Sequence, residues 1–270
     1  MEDVLVRFAA FLGIGLFSGY LSGLFGIGGG IVRIPTFMYI FPLFGIAHET
    51  LIHVAIGTSV ALVVPTAVTA TLQQVRLGHL DLDYYRLWAV GIFIGVCTGL
   101  AILPHVSTEI LTVIFIGFLV LLGIYVGFVK NTVVIANDRP TGATKLAVAT
   151  SIGCASVLTG TGGGALTTPI LKAFSVPIKT AIALASATGL VVGVVGTIGF
   201  IAHGWHLPGR PPYSLGYVDV LVFLAMSPGT LFAVPLGVRT NDALKQVWLT
   251  RIYTLLLFVI AADMSYRLLT

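Results

Sequence analysis

Apolar runs long enough to cross a lipid bilayer recur along almost the whole chain, and they constrain its fold more than any other feature. A helix needs about 20 apolar residues to span roughly 30 Å of hydrocarbon. Only 9% of the 270 residues are charged, whereas a soluble domain carries about 25%. Stretches such as residues 110–129 are continuously apolar, unlike the alternating strands of a β-barrel. The sequence therefore predicts an all-α polytopic membrane protein.

Charged residues and cysteines exclude several other classes of protein. The fourteen basic residues are scattered singly, as in the loops of a membrane protein and not in a nucleic-acid-binding tract. Cys97 and Cys154 lie inside apolar runs and lack the spacing of a zinc site or a redox motif. We therefore expect the lipid bilayer as a partner, and no nucleic acid, metal ion or cofactor.

The chain contains one unit twice. The string GIGGGIVRIPTF at residues 26–37 returns 134 positions later as GTGGGALTTPIL at residues 160–171, with its glycines and proline in register. The string AIGTSVALVV from position 55 likewise resembles ALASATGLVV from position 183. We predict a first transmembrane repeat at residues 1–130, a polar cytoplasmic linker at residues 131–144 and a second transmembrane repeat at residues 145–270.

Each half is predicted to hold four long apolar segments and one short one after its glycine motif, or about ten segments in all. Five crossings per half would give the halves opposite orientations, whereas short segments that turn back would give them equal ones. Lys and Arg collect in cytoplasmic loops. If the short segments cross the membrane, these residues divide ten to three between its two faces, whereas they divide eight to five if the short segments turn back. The sequence favours two inverted repeats with both termini outside the cytoplasm. Whether residues 31–44 and 165–176 cross fully stays open.

The doubled GxGGGxxxxP motif is the first candidate for a functional site. Glycine is permissive and proline removes a backbone donor, so the helices should break near Gly28 and Gly162. Matching broken helices in inverted halves are typical of a transporter site near the bilayer midplane, with helix N-termini directed at an anion. The alternative is that the glycines only allow close helix packing. The candidate residues are Gly28, Gly29, Gly30 and Pro35 in the first copy and Gly162, Gly163, Gly164 and Pro169 in the second.

Arg33 is the most informative single residue, because a charge inside a membrane segment is costly and points to a function by default. Its planar guanidinium suits a carboxylate or sulfonate. A snorkelling interfacial arginine and a structural ion pair are the alternatives. The repeat places Thr167 at the equivalent position. Thr58, Ser59 and Ser186 are weaker candidates, whose hydroxyls could line a path or bond to their own helices.

The paired glycine motifs, the AIGTS string and the 134-residue repeat resemble the TauE/SafE family of sulfite and organosulfonate exporters over nearly the whole chain. This resemblance implies a secondary transporter in the inner (cytoplasmic) membrane that exports a small sulfur-containing anion. It also implies that the two glycine motifs lie near the translocation path. The second half has ALASA where the first has AIGTS, so the halves need not contribute equally.

Two other functions stay open at this point. An anion channel is the nearest alternative, since the same broken helices could line a pore. An intramembrane enzyme is less expected, because the sequence has no HExxH metal motif, no GxSG serine motif and no paired intramembrane carboxylates. The identity of the anion, the coupling ion and the oligomeric state, with a homodimer as one option, are left open by the sequence.

Overall fold

The computed structural model describes residues 2–25, 29–128, 136, 138–206, 213–244 and 246–269. Within these ranges the regular structure is almost entirely helical, and the predicted all-α class is confirmed. Seven helices in the described part of the chain are long and apolar enough to cross a membrane. The architecture is therefore that of a polytopic helical membrane protein.

The helices fall into two sets of five, each with a short second member. The first set is α1 (Glu2–Phe25), α2 (Gly30–Ile40), α3 (His48–Arg76), α4 (Leu82–Ile102) and α5 (Thr108–Phe128). The second set is α6 (Gly142–Leu158), α7 (Gly164–Ala173), α8 (Ile178–Gly204), α9 (Val220–Ala243) and α10 (Gln246–Leu269). Short 3-10 helices follow α2 (Phe41–Phe44) and α4 (Leu103–His105), and a hairpin of β1 (Ser214–Leu215) and β2 (Val218–Asp219) precedes α9.

The short helices α2 and α7 follow the two glycine motifs. They contain 11 and 10 residues, which at 1.5 Å per residue span about 16 and 15 Å. Each carries the motif proline at its sixth position, Pro35 or Pro169, which removes one helical hydrogen bond. α6 ends at Leu158 and α7 begins at Gly164, on either side of the second motif. The first predicted break, near Gly28, lies outside the described residues.

The helices pair in a pattern that is unchanged when the two halves are exchanged. α1 packs along α9 and α4 along α6, while α3 packs on α8 and α5 on α10. α2 lies against α3 as α7 lies against α8. Individual contacts repeat as well: Gly95 lies against Thr150, and Gly229 lies against Leu16, with both positions displaced by 134. The core is thus shared between the halves.

The order of the contacting residues shows that α1 and α9 run in the same direction. The contacts join Gly15 to Met226, Gly19 to Thr230 and Gly23 to Val234. α4 and α6 also run in the same direction. Their contacts join Gly91 to Ala149 and Gly99 to Val157.

The other two main pairs run in opposite directions. On α3 and α8 the contacts join Val60 to Gly196, Val64 to Gly193 and Ala67 to Gly189. On α5 and α10 they join Gly123 to Phe258 and Gly127 to Thr254. By the repeat, α8 is the counterpart of α3 and α10 is the counterpart of α5. These directions support the predicted inverted orientation of the halves.

The polar linker marks one face of the helix bundle. Arg139 donates to the carboxylate of Asp81, just before α4, at 2.8 Å. Ser175, just after α7, donates to the carbonyl of Ala136 at 3.1 Å. The backbone N–H of Tyr84, and after it Arg139, hold the pKa of Asp81 below its ordinary value. We name this side the linker face. Since α6 leaves the linker face, α7 must bring the chain back to it.

The chain termini mark a second face. Arg7 of α1 lies 4.3 Å over the ring of Phe44, just after α2. Near the C-terminus, Arg267 lies over the ring of Tyr39 on α2, and the Tyr39 hydroxyl donates to Asp263. The start of α1, the end of α2 and the end of α10 therefore share this side, the terminal face. α2 returns the chain to the face from which α1 departs.

We predict that the linker face is cytoplasmic and the terminal face is external, because Lys and Arg concentrate in the loops of the linker face. The test introduces single cysteines at exposed positions, Asp138→Cys and Tyr213→Cys, into a chain without Cys97 and Cys154. A membrane-impermeant maleimide should label intact cells through position 213, and should reach position 138 only after permeabilisation. Labelling of position 138 from outside would show that the assignment of the faces is wrong.

Candidate anion site at the two glycine motifs

Each short helix begins at a glycine with a left-handed backbone. Gly29 (φ 76°, ψ −17°) precedes α2, and Gly163 (φ 83°, ψ −25°) precedes α7. The carbonyl of Gly29 accepts the N–H of Arg33 at 3.0 Å, and that of Gly163 accepts the N–H of Thr167 at 2.9 Å. The first N–H groups of a helix have no partner within it and carry the positive end of its dipole. Both motifs therefore present a helix N-terminus within the protein.

The two motifs meet inside the bundle. A β-carbon at Gly30 would overlap the backbone of Gly160 and Thr161. The hydroxyl of Ser59, on α3, donates to the carbonyl of Gly160 at 3.0 Å. Gly160 also lies against Ile34, the neighbour of Arg33 in the sequence. The first short helix thus rests directly on the second glycine motif, and only glycine fits this approach.

The side chain of Arg33 is fully buried. Its guanidinium folds back along the N-cap of α2, where a β-carbon at Gly29 would lie 2.8 Å from Nη2 and 2.9 Å from Cζ. None of its three nitrogens has a hydrogen-bond partner among the residues that the structure describes. Buried charges in proteins are normally paired and hydrogen-bonded. Arg33 therefore holds unused donors at the start of α2.

The electrostatics of this site favour an anion. The guanidinium and the N-terminus of α2 are both positive and lie side by side, so each raises the energy of the other. No Asp or Glu is buried among the side chains whose burial the structure describes. An anion between them would satisfy the donors and oppose both charges. Full burial argues against a snorkelling arginine, and the unpaired nitrogens argue against a structural ion pair.

The second motif offers hydroxyls in place of a charge. Thr167, at the position equivalent to Arg33, is fully buried, and its Oγ1 lacks a partner in the described part of the chain. The same holds for Ser156 Oγ on α6, which lies 3.6 Å from the place of a β-carbon at Gly163. Ser156 was not among the sequence candidates, because a serine in an apolar helix usually bonds to its own backbone. Its equivalence with Ser22 under the repeat was the available signal.

The structure gives the other predicted residues different surroundings. Thr58 and Ser59 are fully buried; Thr58 Oγ1 accepts the N–H of Asp219 at 3.0 Å, which ties α3 to the hairpin. Ser186 donates to the carbonyl of Ile182 on its own helix at 3.0 Å, which is the alternative to lining a transport path. The glycine motifs complete the set. Gly162 lies against Val63, Gly164 begins α7, Pro35 and Pro169 lie inside the short helices, and Gly28 lies outside the described residues.

An aromatic side chain of α4 supports the second motif. Trp88 is fully buried and donates its indole N–H to Thr188 Oγ1 at 2.9 Å. The methyl group of Thr188 lies where a β-carbon at Gly163 would stand. Sequence reasoning did not select Trp88, because aromatic residues in apolar helices mostly pack. The feature of the sequence that could have identified Trp88 is its indole N–H, which needs a hydrogen-bond partner when the side chain is buried.

A family model described as "Sulfite exporter TauE/SafE" matches residues 11–264 of the chain. A "Probable membrane transporter protein" of Haemophilus influenzae is 31% identical and covers 94% of this chain and 96% of its own length. The "Probable membrane transporter protein YunE" of Bacillus subtilis is 23% identical and covers 97% of this chain and 98% of its own length. No solved structure is significantly similar to the chain.

We predict that Gly29→Ala weakens the binding of a small oxoanion at this site by about tenfold, or 1.4 kcal/mol. The new methyl group would take the space beside Nη2 and Cζ of Arg33, and the long side chain would move away from the N-terminus of α2. The measurement is the dissociation constant for an oxoanion probe, with sulfite as the probe used, taken from the shift of the unfolding temperature of the purified protein.

Gly45→Ala is the matched control. Gly45 has the same left-handed backbone (φ 80°) but no neighbour where a β-carbon would stand. Both variants therefore carry similar backbone strain, on the order of 1–2 kcal/mol, and only Gly29→Ala displaces Arg33. Equal affinities in the two variants would show that the position of the guanidinium does not matter for binding.

Proposed function

The chain belongs to the TauE/SafE sulfite exporter family of membrane transporters, and from this premise we propose that it exports a small sulfur-containing anion, sulfite or an organosulfonate, from the cytoplasm. The observation that carries the proposal is the guanidinium of Arg33, which is buried, unpartnered and beside a helix N-terminus. The protein would work as a secondary transporter in the inner (cytoplasmic) membrane.

The anion would bind where the two short helices begin. Arg33 would supply a planar fork of donors, and the first turn of α2 would supply backbone N–H groups. On the other side, Ser156 and Thr167 hold hydroxyls that have no partner among the described residues. Because the site is shielded from water, each charge-assisted hydrogen bond is stronger than it would be at the surface.

Alternating access would use the symmetry of the helix pairs. The antiparallel pair of α3 and α8 lies centrally, and α3 carries Thr58 and Ser59 beside the site. The pairs α1 with α9 and α4 with α6 are equivalent under the repeat. In inverted repeats the two equivalent elements can exchange conformations, so the site would open first to the linker face and then to the terminal face.

A transporter is favoured over an anion channel by the burial of Arg33. A pore lined by an arginine would keep its guanidinium in contact with water, whereas here the side chain has no exposed surface. Saturable flux that depends on an ion gradient would be expected for the transporter. We propose no enzymatic activity.

We predict that Arg33→Gln weakens anion binding by roughly tenfold to a few hundredfold. The lost charge-assisted hydrogen bonds are worth about 1.5–3 kcal/mol, at 1.4 kcal/mol per tenfold change. Arg33→Lys keeps the charge but loses the fork, so it should recover part of the affinity. The measurement is the sulfite dissociation constant in detergent at constant ionic strength, followed by sulfite efflux from loaded proteoliposomes.

Arg86→Gln is the matched control, because it removes one positive charge from an exposed pair with Asp83 at 3.4 Å on α4. It should leave the affinity within about twofold of the original, or 0.4 kcal/mol. Equal affinities for the original protein, Arg33→Gln and Arg33→Lys would remove Arg33 from the binding site. Stable binding without efflux would argue against the transport step.

A further inference from the structure

The glycine-motif site contains a single full charge. Among the side chains whose burial the structure describes, Arg33 and Lys145 are the only charged ones that are buried. The ammonium group of Lys145 lies 3.7 Å over the ring of Tyr84 on the linker face, where the hydroxyl of Tyr84 donates to the linker. Lys145 is therefore engaged elsewhere, and Arg33 alone supplies a positive ion to the site.

No partly buried carboxylate in the described structure pairs with Arg33 or neutralises its charge. Asp219, which is half-buried, accepts the N–H of Val222 at 3.0 Å and so caps the start of α9. Asp81, which pairs with Arg139, lies at the linker face, and Asp263, which accepts from Tyr39, lies at the terminal face. The buried site thus keeps a net charge of one positive unit when it is empty.

The second half adds neutral donors to this charge. Thr167 takes the position that Arg33 has in the first half, and Ser156 lies beside the N-cap of α7. Both hydroxyls are buried and unpartnered in the described part of the chain. They can donate hydrogen bonds to the oxygens of an anion, but they cannot offset a second negative charge. The two halves therefore contribute equivalent backbone to the site, but only the first half contributes a charged side chain.

This charge count bears on the substrate. A monovalent anion and one guanidinium form a neutral pair, which a desolvated site tolerates when its hydrogen bonds are satisfied. A divalent anion would leave one negative charge uncompensated, and the cost of removing an ion from water grows with the square of its charge. The helix N-termini contribute only partial charges, which do not replace a second cation.

On the basis of the proposed function, we propose that the site selects monovalent oxoanions and rejects divalent ones. The selected class comprises sulfonates without a second acidic group and the singly protonated form of sulfite. The rejected class comprises carboxylated sulfonates and the fully deprotonated form of sulfite. Selection by charge then adds to selection by the shape of the oxoanion.

The first arm of the test compares two sulfonates of similar size at one pH and one ionic strength. Isethionate carries one charge and sulfoacetate carries two, and both have two carbon atoms. We expect the purified full-length protein to bind isethionate at least about tenfold more tightly, a difference of 1.4 kcal/mol. Dissociation constants would come from unfolding-temperature shifts checked by calorimetry.

The second arm changes the charge of one ligand by pH. Methylphosphonate gains a proton and becomes monovalent as the pH is lowered through neutrality, while methanesulfonate stays monovalent throughout. Methylphosphonate should bind about tenfold more tightly in its monovalent form, and methanesulfonate should change by less than about twofold. The methanesulfonate series controls for titration of the protein, including His53, which is buried on α3, the helix against which α2 packs.

The outcomes separate this inference from the function on which it rests. Equal or tighter binding of sulfoacetate, or an unchanged affinity for divalent methylphosphonate, would overturn charge selection and leave anion transport standing. If neither sulfite nor any of these probes binds, the proposed function fails and the inference fails with it. Tighter binding of both monovalent forms supports the inference.

Discussion

The structure depends on one constraint: lipid cannot form hydrogen bonds with an interrupted helix, so every break in the backbone must be enclosed by protein. The second glycine motif separates α6 from α7, and the starts of α2 and α7, at Gly30 and Gly164, lie inside the bundle. The enclosure comes from very close contacts, such as Gly30 against Gly160, together with the hydrogen bond from Ser59 to the same carbonyl. A helix N-terminus that is enclosed in this way also favours an anion beside it.

A buried and unpaired guanidinium is costly to a folded protein, and the family's transport function gives a reason for keeping it. Arg33 adds a full charge to the partial charge at the start of α2, whereas the equivalent helix α7 has Thr167 at that position. The repeat therefore conserves the backbone of the site, as the matching dihedral angles of Gly29 and Gly163 indicate. The chemistry of the two halves has become different.

The packing of the helices shows how two weakly similar halves form one protein. Each half contributes one member to every main pair, so neither half encloses its own core. Small residues make this pairing between the halves possible, because Gly15, Gly19 and Gly23 let α1 approach the backbone of α9 closely. The directions of the helices also require the chain to return along α2 and α7 to the faces from which α1 and α6 depart. That requirement agrees with the uneven distribution of Lys and Arg in the loops.

The sequence by itself determined the helical membrane class, the duplicated glycine motif and the family resemblance. It also identified Arg33 as a candidate anion-binding residue. Hydropathy, repeats and a lone charge can all be read directly from the sequence. The sequence could not determine the surroundings of Arg33, which lies beside Gly29 and has no partner in the described structure. The unpartnered Ser156 and the bond from Trp88 to Thr188 were also beyond it. These features join positions that are far apart in the chain, and local periodicity contains no information about which helices approach each other. Tertiary packing alone decided which polar groups were satisfied and which were left available for an anion.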